Sequence, residues 1–214
     1  MREIDLVIFD FDGVIMDTEW AHAEAKRKIC AERKYLLKEE LDWSVGRSNK
    51  EFWERVLLDN RKCDDLEELV RQQFEIAWEL LRERGQQESE GLTVLLRELR
   101  SRGKQIAICS GSQRGFILRI LEYLKVTSFF TCIVGAEDAR ELKPAPDLYL
   151  RVLEKAQMTA DRAVVVEDSA SGCQAAKSAG IYCIGYLNRG ENSQNLGKAD
   201  VLVGELRELL SLVS

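Results

Sequence analysis

The chain has 214 residues, 45% of them hydrophobic and 32% charged, with a formal net charge of -6, 14 glycines and 2 prolines. That composition supplies one generous core and a smaller appendage, and it excludes disordered, collagen-like and low-complexity chains. The acidic balance, with no long basic stripe to displace counterions from a phosphate backbone, speaks against a nucleic-acid partner.

The first element is the apolar run IDLVIF at 4–9, which stops at Asp10. It breaks into acids before a secretory core could form, and nowhere does the chain reach the 18 or more apolar residues of a membrane span. A cytoplasmic monomer with no membrane contact is expected.

From 18 to 87 the pattern is helical. EWAHAEAKRKICAERK, NKEFWERVLLDN and DLEELVRQQFEIAWELLRERG carry apolar residues three and four apart. Leu66, Leu69, Val70, Phe74, Ala77, Trp78 and Leu81 form one stripe. All four tryptophans (Trp20, Trp43, Trp53 and Trp78) fall in this stretch. They fill a thin core, or one of Trp20 and Trp43 lines a cleft.

After the polar segment GQQESEG, short apolar runs alternate with helix-like stretches at 91–102, 114–124, 146–156 and 169–179. The runs are QIAIC at 105–109, TCIV at 131–134, AVVVE at 163–167, IYCIG at 181–185 and DVLV at 200–203. Continuous apolar strands alternating with helices predict an α/β fold with a parallel sheet covered on both faces. The organisation that follows is an α/β domain of residues 1–17 and 88–214, interrupted by an all-helical domain of residues 18–87.

The six cysteines (Cys30, Cys63, Cys109, Cys132, Cys173 and Cys183) lie far apart. Without export or a CxxC pair they read as thiols, neither bridged nor bound to zinc.

Ligands of open α/β sheets bind beyond the carboxyl ends of the strands. There the sequence places Asp10, Asp12 and Gly13 after the first run, Ser110, Gly111 and Ser112 after the second, and Glu167, Asp168 and Ser169 at the end of the AVVVE run. Lys143 precedes Pro144-Ala145-Pro146-Asp147. Four carboxylates gathered in one place repel each other unless a cation compensates, and an oxygen-only set suits Mg²⁺ with a substrate phosphate. Each motif alone has a plainer explanation: DxDG as a turn, Ser169 as a helix cap, Lys143 as part of a loop.

Taken in order, DFDGVIMDTE at 10–19, the serine closing QIAICS at 110, the lysine of KPAPD at 143 and EDSASGCQAAKSAG at 167–180 resemble the four motifs of the haloacid-dehalogenase-like superfamily. The likeness is closest to its beta-phosphoglucomutase and small-metabolite phosphatase branch, which has a helical cap between the first two motifs. It implies a Rossmann-like core with Asp10 as the nucleophile that becomes an aspartyl phosphate. Asp12 would be general acid and then base, and its backbone carbonyl would serve the metal. Ser110 would bind phosphoryl oxygens, Lys143 would neutralise them, and Asp168, with Glu167 directly or through water, would anchor Mg²⁺. Gly13, Gly111 and Ser112 would shape the phosphate side.

His22, the only histidine, occupies a position where the resembled mutases also have one; it serves as a donor near the transferred group or is a partly exposed helix residue. VGRSNKEFW at 45–53 is similar to the family's specificity loop, with Arg47 or Lys50 as candidate substrate contacts. Asn49 stands where the mutases have an arginine, and the later cap helix offers no lysine. The expected activity is a Mg²⁺-dependent phosphatase for a small phosphorylated metabolite such as a sugar phosphate or phosphoglycolate. A hexose-phosphate mutase and a non-catalytic binding protein remain as alternatives.

Overall fold

A computed structural model describes residues 3–37, 48–188 and 195–213. It divides into two compact units, one made of the chain up to Asp17 and from Gln87 onward, the other of Thr18–Gln86. No helix among the described residues is long and apolar enough to cross a membrane.

The first unit is the expected α/β layer structure. Each apolar run becomes a strand: β1 Leu6–Phe9, β2 Gln105–Cys109, β3 Cys132–Val134, β4 Ala163–Glu167, β5 Tyr182–Tyr186 and β6 Val201–Val203. They form one sheet in the order β3-β2-β1-β4-β5-β6, and every pairing is parallel. β1 and β4 are buried at every residue, which is why both read as unbroken apolar runs without alternation. On one face, Leu6, Ile8 and Val165 pack with Leu148 and Val152 of α6 (Asp147–Ala156) and Cys173 and Ala176 of α7 (Ala170–Ser178). The period of two along a strand sends Val7 and Phe9 to the other face.

The sheet order fixes the position of the site. β1 is flanked by β2 on one side and β4 on the other, so the chain reverses its winding direction about β1 and leaves a crevice at its carboxyl end. Phe9 pairs with Ile108 of β2 and with Val166 of β4. One residue further, Asp10 is level with Cys109 and Glu167.

In the second unit the helices are α1 Glu19–Arg33, α2 Asn49–Asn60 and α3 Leu66–Arg84. Ser48 caps α2, reciprocated by Glu51, and Asp65 caps α3 through the amides of Glu67 and Glu68, satisfying donors that a helix start leaves open. Ile29, Cys30, Phe52, Trp53, Val56 and Leu69 form its core. Of the predicted α3 stripe, Leu69, Phe74, Ala77 and Leu81 are buried and Leu66, Val70 and Trp78 half-buried. Trp53 is a core residue, and Trp20 stacks against the Arg84 guanidinium, 4.5 Å from the ring centroid. Trp43 lies outside the described residues. All six cysteines are free thiols.

Candidate active site

Asp10 leaves the end of β1 with its N–H donated to Val166 O (2.9 Å), a last ladder bond that holds the residue in line with the sheet. The turn after it closes by Gly13 N–H to Met16 O (2.8 Å) and Ile15 N–H to Phe11 O (2.9 Å). Gly13 has φ +83°, a conformation that favours glycine, and a Cβ there would come within 1.8 Å of Asp168 Oδ2. Asn188 Nδ2 donates to Gly13 O at 2.7 Å and secures the loop from the β5 side.

Lys143 is the hub of the site. Its side chain is only 9% exposed, and its ammonium donates to Asp10 Oδ1, to Glu167 Oε1 at 2.6 Å and to Cys109 O at 3.0 Å. Three donors on a tetrahedral nitrogen thereby tie the ends of β1, β2 and β4 together.

Glu167 is fully buried and fully engaged. Oε1 accepts from Lys143 and from Tyr149 Oη (2.8 Å), and Oε2 from Ser169 N–H (3.1 Å) and Ser169 Oγ (2.8 Å). Ser169 also caps α7, accepting from Gly172 N–H at 3.0 Å. The carboxylate lies against Gly172, where a Cβ would stand 1.7 Å from Oε1.

Asp12 points elsewhere. Its Oδ2 accepts from Ser110 Oγ (3.0 Å) and Ser112 Oγ (2.7 Å), while Ser112 N–H donates to Ser110 Oγ (2.9 Å). Two carboxylates two residues apart are thus held by different partners, Asp10 by an ammonium and Asp12 by hydroxyls.

Burial pushes the Asp10 carboxyl well above the usual carboxylate range; Lys143 pulls it back, while Glu167 and Asp12 add repulsion. For Lys143 burial acts to lower the pKa, but Asp10 and Glu167 outweigh it and hold the ammonium well above its ordinary value. Burial and the neighbouring Glu167 raise Tyr149 far enough that it remains a phenol donor.

Asp10, Glu167 and Asp168 each offer an oxygen within 4.8 Å of the others. An all-oxygen set of this kind fits a hard divalent cation. The carboxylate of Asp12 is not part of that group.

The structure therefore brings Asp10, Asp12, Gly13, Ser110, Ser112, Lys143, Glu167 and Asp168 to one end of the sheet. Gly111 is exposed between the two serines. Arg114, which opens α5 (Arg114–Leu124), is turned to protein partners: its guanidinium pairs with Asp138 and donates to Ile133 O (2.9 Å). Lys50 is exposed at the start of α2, 3.9 Å from Glu54. Arg47 lies outside the described residues. His22 is buried in α1 beside Gln73, its Nδ1 3.0 Å from Gln73 Nε2.

Sequence reasoning missed Tyr149, Gly172, Asn188 and Gln73. Tyr149 sits among apolar neighbours of α6 and reads as core. Gly172 had a signal, a glycine in the first turn of a helix directly after the acidic pair. Gln73 had one too, because it occupies a position of the α3 stripe that should be apolar.

The chain matches the haloacid dehalogenase-like hydrolase family over residues 7–186. It belongs to that family. A phosphorylated carbohydrates phosphatase of Thermotoga maritima is 31% identical over 183 residues, covering 83% of this chain and 82% of the relative. A phosphoglycolate phosphatase of Pseudomonas putida is 30% identical over 220 residues, 96% of this chain and 78% of the relative. Among solved structures, beta-phosphoglucomutase of Clostridium difficile superposes with a TM-score of 0.81 at 26% identity, covering 96% of this chain and 93% of that one. The four resembling motifs of this haloacid dehalogenase-like hydrolase are the residues gathered at the carboxyl ends of β1, β2 and β4 and on Lys143.

Proposed function

We propose that the protein is a phosphatase that hydrolyses a small phosphomonoester, of the sugar phosphate or phosphoglycolate type, through an aspartyl phosphate on Asp10. The observation that carries this reading is Lys143 bonded at once to Asp10 and Glu167, with Asp12 held apart by Ser110 and Ser112. Both named phosphatase relatives act on phosphorylated small molecules, which supports the substrate class.

In the first half-reaction a carboxylate oxygen of Asp10 forms a bond to phosphorus as the bond to the ester oxygen breaks. Asp12 gives its proton to the departing alkoxide. In the second, water attacks the aspartyl phosphate, Asp12 takes a proton from that water, and inorganic phosphate leaves with the Asp10 carboxylate restored. Lys143 and the Ser110 hydroxyl bear on the phosphoryl oxygens where negative charge gathers. A Mg²⁺ held by Asp10, Asp168 and, directly or through water, Glu167 would add positive charge against those same oxygens.

The helical unit serves in this reading as the cap that selects the substrate. A mutase reading draws on the Clostridium difficile structure. It requires a cationic place for a second phosphate, and Asn49, which stands at the mutase arginine position, instead accepts a hydrogen bond from the neutral Gln73.

The test is a panel of phosphomonoesters assayed for released phosphate, beside a coupled beta-glucose-1-phosphate isomerisation assay with bisphosphate primer. Phosphate release that Asp10→Asn reduces at least about a thousandfold is expected. Isomerisation faster than release would establish the mutase, and full activity in Asp10→Asn would overturn the nucleophile.

A further inference from the structure

Ser110 and Ser112 both donate to the same oxygen of Asp12, but the bonds around the two hydroxyls differ. Ser112 is 4% exposed, and each of its polar groups is engaged inside the α/β unit. Its carbonyl accepts Ala136 N–H from the loop after β3 at 3.0 Å, its N–H donates to Ser110 Oγ at 2.9 Å, and its hydroxyl donates to Asp12 Oδ2 at 2.7 Å. Glu137, in the same loop, accepts the Arg114 N–H at 3.1 Å and ties the loop to the first turn of α5. The backbone that carries Ser112 is thus pinned between β3 and α5, and a fixed backbone narrows the directions a short side chain can take.

Ser110 is placed differently. It follows Cys109 directly, and the Cys109 carbonyl accepts from the Lys143 ammonium at 3.0 Å, so Ser110 borders the cation that also holds Asp10. Its oxygen accepts the Ser112 N–H, because an amide nitrogen can only donate, and its one hydrogen goes to Asp12 Oδ2 at 3.0 Å. That single hydrogen cannot serve two acceptors. When it turns to a phosphoryl oxygen beside Lys143, Asp12 loses the longer of these two hydroxyl bonds and keeps the shorter, from Ser112.

We infer that Ser112 is a positioning residue for the proton-transferring carboxyl of Asp12 and not a contact for the phosphoryl group. The inference rests on the phosphatase reading for what Asp12 does, and it divides the two hydroxyls by task. Ser110 passes from the acid to the phosphoryl oxygens, whereas Ser112 stays on Asp12 throughout. A general acid must stand within hydrogen-bond reach of the departing oxygen, so a carboxyl left free to swing loses rate. That loss falls on esters whose departing oxygen needs a proton. An ester that leaves as a stable anion, such as p-nitrophenyl phosphate, depends on the proton much less.

The test compares p-nitrophenyl phosphate with the alkyl phosphate hydrolysed fastest in the phosphomonoester panel, using the full-length protein with Mg²⁺. The quantity to read is kcat/KM, which reports transfer from the ester to Asp10, because the later hydrolysis of the aspartyl phosphate is common to both esters. Ser112→Ala should lower kcat/KM for the alkyl ester about thirtyfold, the size of a hydrogen bond to a charged group, and for p-nitrophenyl phosphate by about threefold. Ser110→Ala should slow both esters alike, because both present the same phosphoryl oxygens. Equal losses for the two esters in Ser112→Ala, or inorganic phosphate inhibiting that variant about tenfold more weakly, would overturn the inference. A crystal structure of the wild type with orthovanadate decides the point where a variant does not fold. Ser112 Oγ on Asp12 and Ser110 Oγ on the oxyanion is the expected arrangement, and Ser112 Oγ on the oxyanion overturns it. Failure of the wild-type protein to release phosphate from any ester would instead defeat the phosphatase reading, with the crystal structure still showing which serine holds Asp12.

Discussion

Gly13 and Gly172 shape the acidic site by what they lack. The carboxylates of Asp168 and Glu167 occupy the space in which their Cβ atoms would stand, at 1.8 and 1.7 Å. Gly172→Ala must therefore push Glu167 off Lys143 or Tyr149, and separating a buried carboxylate from its cation costs about 3–5 kcal/mol. The variant is expected to lose phosphate release by at least about a hundredfold and to melt lower, as read by enzyme assay and circular dichroism. Unchanged activity and melting would show that Glu167 steps aside freely. Asp10, Asp12, Ser110, Glu167 and Asp168 were legible in the sequence because each stands at or just beyond the end of an apolar run, and the end of a run is the end of a strand. Tyr149 was not: its ring satisfies the apolar pattern of α6, and the hydroxyl that serves Glu167 leaves no trace in periodicity.

Between elements, Asp138 is the acid that draws α5, α6 and the loop after β3 together. Burial alone would raise its pKa, but hydrogen bonds from Lys155 Nζ (2.8 Å), Gly135 N–H (3.0 Å) and Arg114 outweigh burial and lower the carboxyl to about 2. Its folded pKa thus lies below the ordinary aspartate value, so its contribution to stability is present above about pH 4 and disappears as the pH falls towards 2. With Arg114 partly exposed, that contribution is roughly 2 kcal/mol. Asp138→Asn should be less stable than wild type by this amount near neutrality, and urea melts at a series of pH values should show the two proteins converging below about pH 3. A constant difference across that range would assign the loss to packing and not to charge. The elements themselves were nearly all visible in the sequence. Each strand but β5, which lies between Ile181 and Leu187, is an apolar run bounded by a charged, glycine or small residue, and α3 showed its stripe, although Gln73 within that stripe became intelligible only once Trp53 and His22 were seen around it.

For the molecule as a whole, sheet order was the level at which sequence stopped informing. The runs predict a parallel sheet, but nothing in them says that β1 sits between β2 and β4; that neighbourhood, which sets Asp10 level with Cys109 and Glu167, comes from tertiary pairing. The same neighbourhood couples the proposed metal to global stability. β1 and β4 are the two most completely buried strands; Asp10 directly follows the first, Glu167 ends the second and Asp168 comes next, so a cation bound by them is bound by the folded chain and not by the unfolded one. Mg²⁺ at a hundredfold excess over its Kd then adds about 2.7 kcal/mol, which for a chain of this size corresponds to a rise of roughly 5–10 °C in Tm. Asp168→Asn removes one of the three oxygens and should abolish most of that rise, and excess chelator should return the wild type to its metal-free Tm. A calorimetric Tm indifferent to Mg²⁺, or a rise that Asp168→Asn retains in full, would place the cation elsewhere, because a ligand stabilises a fold only through the groups that hold it.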